Sequence, residues 1–285
     1  MVCEIARTQS LFSLLIDEAA YRLVRRIHDR SRARLSSAPP LFAPTTDLIG
    51  HRLISTGIFE RTQIEGLDAL LDERRDLIDQ FKNKLGLFID VGANIGFYTT
   101  RYAERFEKVL AVEANPITFD VLKSNLALSQ ISNASAVCVG ASDKPGTLPL
   151  TIPSGGVMGW ASFESGDVKA DRVVHVPTRT IDELTEEYAP HTAVTLIKID
   201  VEGHEAKVLR GAATVLRRHK PVVLYEQLSQ SAGAECADLL RAAGYDRFLT
   251  FTRRIRLMLP FSKCPVTADA VDPKKLDRCT LICGY

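Results

Sequence analysis

The segment Phe88-Ile-Asp-Val-Gly-Ala-Asn-Ile-Gly-Phe97 narrows the possible folds more than any other part of this chain. An apolar run suited to a buried strand ends in a carboxylate, Asp90, and a turn through Gly92 and Gly96 leads into a helix beginning near Phe97. In open α/β sheets, ligands bind outside the carboxyl ends of the strands, which is where such a turn falls. The two glycines are expected to let the backbone approach a ligand closely, where a Cβ would obstruct it.

The sequence after this turn keeps the same texture. From residue 85, short apolar runs at 87–91, 109–112, 136–139, 196–201 and 222–225 alternate with helical patterns at 116–128 and 205–219. Alternation of this kind predicts a mainly parallel sheet covered on both faces. Asn115 is placed to cap the helix that starts at Pro116, a residue suited to a first helical turn. Between residues 146 and 180 the alternation lapses into Gly-rich, strand-like sequence, which reads as an insertion over the site. Strands at 248–252 and 280–285 are expected to finish the sheet.

Ahead of this region the chain is helical in pattern. Residues 10–35 read as an amphipathic helix with arginines at 22, 25, 26, 30, 32 and 34. A cap helix packed on the main domain is preferred to a helix docking on a membrane or a partner, because the apolar face is short and the polar face also carries acids. Residues 36–44 break the pattern with consecutive prolines, and a second helix is expected over 62–84. The chain therefore divides into a helical extension, 1–80, and a main domain, 81–285.

Composition excludes some classes of function. Thirty-six basic residues against 35 acidic ones leave a formal charge of +1, which gives no electrostatic reason to expect nucleic acid as a partner. No apolar stretch is long enough for a transmembrane segment. Glu4, Asp17 and Glu18 spoil the pattern of a signal peptide, so a cytoplasmic location is expected and the Asn133-Ala-Ser135 sequon carries little weight. The six cysteines form no CxxC pair and read as free thiols.

The nature of the ligand turns on charge. The dinucleotide fingerprint wants a glycine where Asn94 stands and a small residue just after Gly96, where bulky Phe97 and Tyr98 follow. A carboxylate at Asp90 would repel a pyrophosphate, yet attract the ammonium and sulfonium of S-adenosylmethionine. Glu113 ends the second strand, where an acid accepts hydrogen bonds from both ribose hydroxyls, and Asn115 follows it on the same cofactor edge. Ser142 and Asp143 follow the third strand, either beside the adenine or as part of a simple turn.

A second cluster, Leu196-Ile-Lys-Ile-Asp-Val-Glu-Gly-His-Glu205, crowds Lys198, Asp200, Glu202 and His204 at a strand end. Asp200, Glu202 or His204 is a candidate base for removing one proton from a hydroxyl acceptor, with a structural ion pair at Lys198 and helix capping by Glu202 or Glu205 as the competing reading. Glu226 adds a carboxylate at the same edge, for substrate or, with Asp200, for a divalent metal. The metal reading lacks a histidine or third carboxylate at ligand spacing, so no metal is expected. His175 reads as an ordinary strand residue.

FIDVGANIGFYT, VEANP, TIDEL, LIKIDVEGHEAKVLRGA and PVVLYE, in this order and spacing, resemble the FkbM family of S-adenosylmethionine-dependent methyltransferases from Phe81 to Glu226. The resemblance implies a seven-stranded Rossmann-like class I fold, cofactor contacts at Asp90, Gly92, Asn94, Gly96 and Glu113, and O-methylation of a small-molecule or glycan acceptor. His204 stands where the family leads one to expect a small residue. Two other functions remain open from the residues: a nicotinamide-dependent oxidoreductase and a non-catalytic adenosine-binding protein on the same fold.

Overall fold

The computed structural model describes residues 22–23, 25–26, 41–43, 50, 52, 58–73, 78–79, 84–153, 161–164, 170–253, 266–276 and 280–285. The chain falls into two compact units, Met1–Ala38 with Ala43–Phe59, and Pro39–Phe42 with Glu60–Tyr285. In the first unit, residues 22–23, 25–26, 50 and 52 are helical. Most of the basic helix expected over 10–35 lies outside the described residues, as does 155–160. No helix among the described residues is long and apolar enough to cross a membrane.

The second unit begins with α1 (Arg61–Glu73), which buries Ile64, Leu67, Leu70 and Leu71 along one stripe. The helix expected to reach residue 84 ends at Glu73. Beyond it, β1 (Ile78–Asp79) pairs antiparallel with the start of β2 (Lys84–Val91), so strand pairing claims the end of the apolar pattern. The chain continues through α2 (Phe97–Tyr102), β3 (Phe106–Val112), α3 (Pro116–Leu128) and β4 (Ala134–Val137). Next come β5 (Gly140–Ala141), β6 (Gly146–Pro153), β7 (Ala170–Arg179), α4 (Ile181–Tyr188) and β8 (Val194–Ile199). The last elements are α5 (Glu205–Gly211), α6 (Ala213–His219), β9 (Val222–Gln227), α7 (Gln230–Ala242), β10 (Phe248–Arg253), β11 (Val266–Ala270) and β12 (Thr280–Gly284).

The main sheet runs β11-β10-β12-β9-β8-β2-β3-β4, with β1 added to β2. Pairing is parallel from β4 to β9 and antiparallel at β12, β10 and β11. Removing β1 and β11 leaves the seven strands of a class I methyltransferase sheet, so the fold is the Rossmann-like α/β architecture. Strands β6 and β7 of the insertion form a separate sheet with β5, which precedes it, and His175 pairs there with Pro149.

β2 is buried on both faces, which explains its near-continuous apolar run. Leu87, Ile89 and Val91 join the core beside Ile197, Ile199, Leu209 and Leu240. Phe88 points the other way, against Tyr102 and Phe106 at ring-centroid distances of 6.2 and 5.3 Å. Each such side chain stabilises the fold by ~1.5–3 kcal/mol on burial. The chain crosses from β2 to β3 and β4 on one side and from β8 to β9 on the other. This reversal makes the carboxyl ends of β2 and β8 a topological switch point, where open α/β sheets bind ligands.

Candidate active site

Backbone conformation shapes the glycine turn first. Gly92 and Gly96 have φ of 72° and 87°, and Asn94 between them has φ of 51°. A Cβ on Gly92 would come within 1.9 Å of the Asp200 carbonyl oxygen, and one on Gly96 within 2.6 Å of Leu122 Cδ1. The glycines are therefore required by the protein's own packing, apart from any ligand. From behind, Asn125 Nδ2 donates to the Ile95 carbonyl at 2.7 Å.

Glu113 braces the turn from the neighbouring strand. Its carboxylate accepts from Asn94 N–H at 2.7 Å, Asn115 N–H at 2.8 Å and Thr118 Oγ1 at 3.1 Å. Burial pushes its pKa up and these donors pull it back. Asn115 caps α3 by accepting from Ile117 N–H at 3.1 Å, while its Nδ2 is buried without a hydrogen-bond partner among the described residues. Asn94 Oδ1 and Asp90 Oδ1 are buried and unpartnered in the same way.

Asp90 is fully buried, on the face of β2 opposite Leu87, Ile89 and Val91. Thr99 Oγ1 donates to its Oδ2 at 2.6 Å, and the Lys198 ammonium stands 4.0 Å from its Oδ1. The strand register pairs Asp90 with Lys198. Asp90 is thus not the bare carboxylate that its sequence position implied. Lys198 also donates to Asp200 Oδ2 at 3.0 Å and lies 4.8 Å from the centre of the Tyr98 ring. Burial opposes that ammonium, but Asp200, Asp90 and Glu60 outweigh it and raise its pKa.

Glu60, just before α1, accepts a hydrogen bond from Tyr98 Oη at 2.6 Å. Burial raises its pKa, with Lys198 acting against the shift. Sequence reasoning missed Glu60 and treated Tyr98 only as a bulky residue after the turn. The spacing of Thr99, nine residues after Asp90 and on the first turn of α2, was the one readable signal for its contact.

Next to Lys198, Asp200, Glu202 and Glu226 bring carboxylate oxygens within 4.8 Å of one another. The register that sets Ile199 beside Tyr225 puts Asp200 and Glu226 at adjacent strand ends. Glu202 supplies the third carboxylate that sequence spacing did not reveal. Burial, Asp200 and Glu205 push the Glu202 pKa up to about 7. Burial, Asp200 and Glu202 push Glu226 well above the usual carboxylate range, and its Oε2 has no hydrogen-bond partner among the described residues. Glu205 is buried and structural, accepting from Val201 N–H at 3.3 Å and Gly203 N–H at 3.1 Å.

His204 does not join these carboxylates. Its ring is 1% exposed, with Nε2 3.0 Å from Ser142 Oγ and Nδ1 2.8 Å from Glu164 Oε1. Ser142 is buried behind β5, which belongs to the small sheet, and its hydroxyl also lies 3.1 Å from exposed Asp143.

A family model for the methyltransferase FkbM domain matches residues 90–247. Methyltransferase sdnD of Sordaria araneosa is 32% identical over 152 residues, covering 43% of this chain and 59% of that protein. Hexuronic acid methyltransferase AglP of Haloferax volcanii is 34% identical over 138 residues, covering 45% of this chain and 50% of that protein. The chain thus spans half to three-fifths of the length of these relatives. The solved structure of methyltransferase FkbM from Methylobacillus flagellatus KT shares 16% identity at a TM-score of 0.42, covering 90% of this chain and 59% of that one. The matched family stretch is more than half of the 285 residues and includes the glycine turn, Glu113, Lys198, Asp200, Glu202 and Glu226. This chain belongs to the FkbM family of methyltransferases.

Proposed function

We propose that the protein transfers a methyl group from S-adenosylmethionine to a hydroxyl of a small-molecule or glycan acceptor. The observation that carries the reading is the meeting of Asp200, Glu202 and Glu226 at the sheet edge that also holds the glycine turn. The cradle fits an adenosyl ligand with a cationic end. Asp90 Oδ1, Asn94 Oδ1 and Asn115 Nδ2 are buried polar atoms around the turn with no hydrogen-bond partner among the described residues, and such atoms call for a ligand or water. Beyond the three hydrogen bonds it accepts, Glu113 keeps one of its roughly four lone pairs, on Oε2, for a ribose hydroxyl. When bound, the donor supplies an electrophilic methyl group on a sulfonium.

The chain's own residues handle the proton. With a pKa near neutrality, Glu202 is a carboxylate in a useful fraction of molecules at pH 7 and accepts the proton of the acceptor hydroxyl. Glu226 keeps its proton at that pH and offers a hydrogen bond to an acceptor oxygen. Lys198 holds Asp200 in place through its 3.0 Å hydrogen bond. The name of the Haloferax relative, a hexuronic acid methyltransferase, supports a sugar-type acceptor.

The test is mass detection of methylated products after incubation with S-adenosylmethionine and a panel of sugars and other hydroxylated compounds. The reading expects a product that carries one added methyl on oxygen, and a loss of turnover of about a hundred-fold in Glu202→Gln. Methylation on nitrogen or carbon, or full turnover in that variant, would contradict it.

A further inference from the structure

The turn that carries Glu202 is strained and held from outside. Glu202 has φ of 52° and Gly203 φ of 102°. A left-handed glutamate costs roughly 1 kcal/mol and persists only where its surroundings fix it. Glu205 fixes the turn from within through Val201 and Gly203. From outside, Ser162 Oγ donates to the Glu202 carbonyl at 2.8 Å.

Ser162 belongs to a short segment, residues 161–164, that touches several elements. Its backbone N–H and C=O both pair with Thr151 of β6, at 3.0 and 2.9 Å. Phe163 packs on Gly140, where a Cβ would come within 2.5 Å of the ring, and its centroid is 5.2 Å from that of His204. Glu164 meets His204 Nδ1 and Lys207 Nζ, each at 2.8 Å.

His204 is the buried anchor of this arrangement. Glu164 is exposed and accepts only, so Nδ1 carries a proton toward it, while Nε2 lies 3.0 Å from Ser142 Oγ, which itself donates to Asp143 at 3.1 Å. Burial lowers the His204 pKa against the pull of Glu164. The charged groups facing it are Glu164, Lys207 and Asp143; those facing Glu202 are Asp200, Glu205, Glu226 and Lys198.

We propose that His204 is a positioning residue: by joining Ser142 to Glu164 it docks the 161–164 segment, whose Ser162 holds the Glu202 turn so that the Glu202 carboxyl stays half-buried against Asp200 and Glu226. The inference rests on the role assigned to Glu202 above. It links Ser142, just after β5 of the small sheet, to Glu202 without placing His204 in contact with substrate.

The test needs no acceptor. Carboxyl NMR titration of the full chain, labelled at its glutamate side chains, reads the Glu202 pKa directly, with Glu202→Gln assigning the signal. The parent is expected to show a carboxyl titrating near neutrality. In Ser162→Ala and His204→Ala the same carboxyl moves toward the ordinary range by about half a unit or more, because a loosened turn lets water reach it. His204→Gln, which keeps one amide donor for Glu164, falls between. The affinity for S-adenosylhomocysteine, read by calorimetry, stays within about two-fold of the parent in Ser162→Ala. A Glu202 signal unmoved in Ser162→Ala and His204→Ala would overturn the inference, and Ser162→Ala decides alone if His204→Ala does not fold. A parent with no carboxyl titrating near neutrality would instead remove the role of Glu202, and the inference with it.

Discussion

At the scale of single residues, the site works by burying acids together. Glu226 is the clearest case. Burial beside Asp200 and Glu202 makes its carboxyl bind a proton more tightly in the folded chain than in the unfolded one. Such a group gives its full stabilisation below the ordinary carboxylate range and loses it as pH rises through the folded pKa. Glu226→Gln removes that loss. Denaturant titrations are expected to show the variant close to the parent at about pH 5 and more stable by about 1 kcal/mol or more at about pH 9. A gap that shrinks as pH rises would contradict the burial of this carboxyl. The identity of the acids was legible in the sequence, because ionisable residues at the end of an apolar strand need a reason. Their partners were not. Lys198 beside Asp90, Glu60 on Tyr98 and Ser142 on His204 join residues that are 108, 38 and 62 positions apart, and only the folded sheet and turns bring them together.

At the scale of elements, caps and turns set where the site residues stand. Helix α3 runs over the range its Asn-Pro start predicts, with Asn115 as the cap. The helix expected at 205–219 is instead two, broken at Ala212. A Cβ on Gly211 would come within 2.0 Å of the Ser142 carbonyl oxygen, a contact that periodicity does not display. Asp182, in the TIDEL motif, serves the start of α6 by accepting from Thr214 and Val215 N–H at 2.9 Å each. Two substitutions separate structure from chemistry here. Thr180→Ala removes half of the capping box on α4 and is expected to cost about 1 kcal/mol in thermal or denaturant unfolding, with cofactor affinity unchanged. Gly92→Ala drives a Cβ at φ of 72° into the Asp200 carbonyl and is expected to cost about 3 kcal/mol or more. A Gly92→Ala protein as stable as the parent would mean that the turn does not pack on Asp200 as described.

At the scale of the whole molecule, the second unit is a methyltransferase sheet with additions. The alternation of strands and helices foretold the central seven strands, and the glycine turn foretold a site at their carboxyl ends; the strand order came only with the fold. The alternation did not foretell β1, hidden in a helical pattern, or β11, or the separate sheet of β5, β6 and β7. Those pieces pair only through contacts distant in sequence, and hydrophobic period is blind to such contacts. The central claim concerns what the switch point between β2 and β8 binds. Calorimetric titration of the full chain with S-adenosylmethionine, S-adenosylhomocysteine and NADH tests it most directly, with Asp90→Ala and Glu113→Ala alongside. The account predicts micromolar binding of the first two ligands, none of NADH, and a loss of about ten-fold or more in each variant. Binding of NADH in place of the adenosyl ligands, or affinity unchanged in both variants, would contradict it.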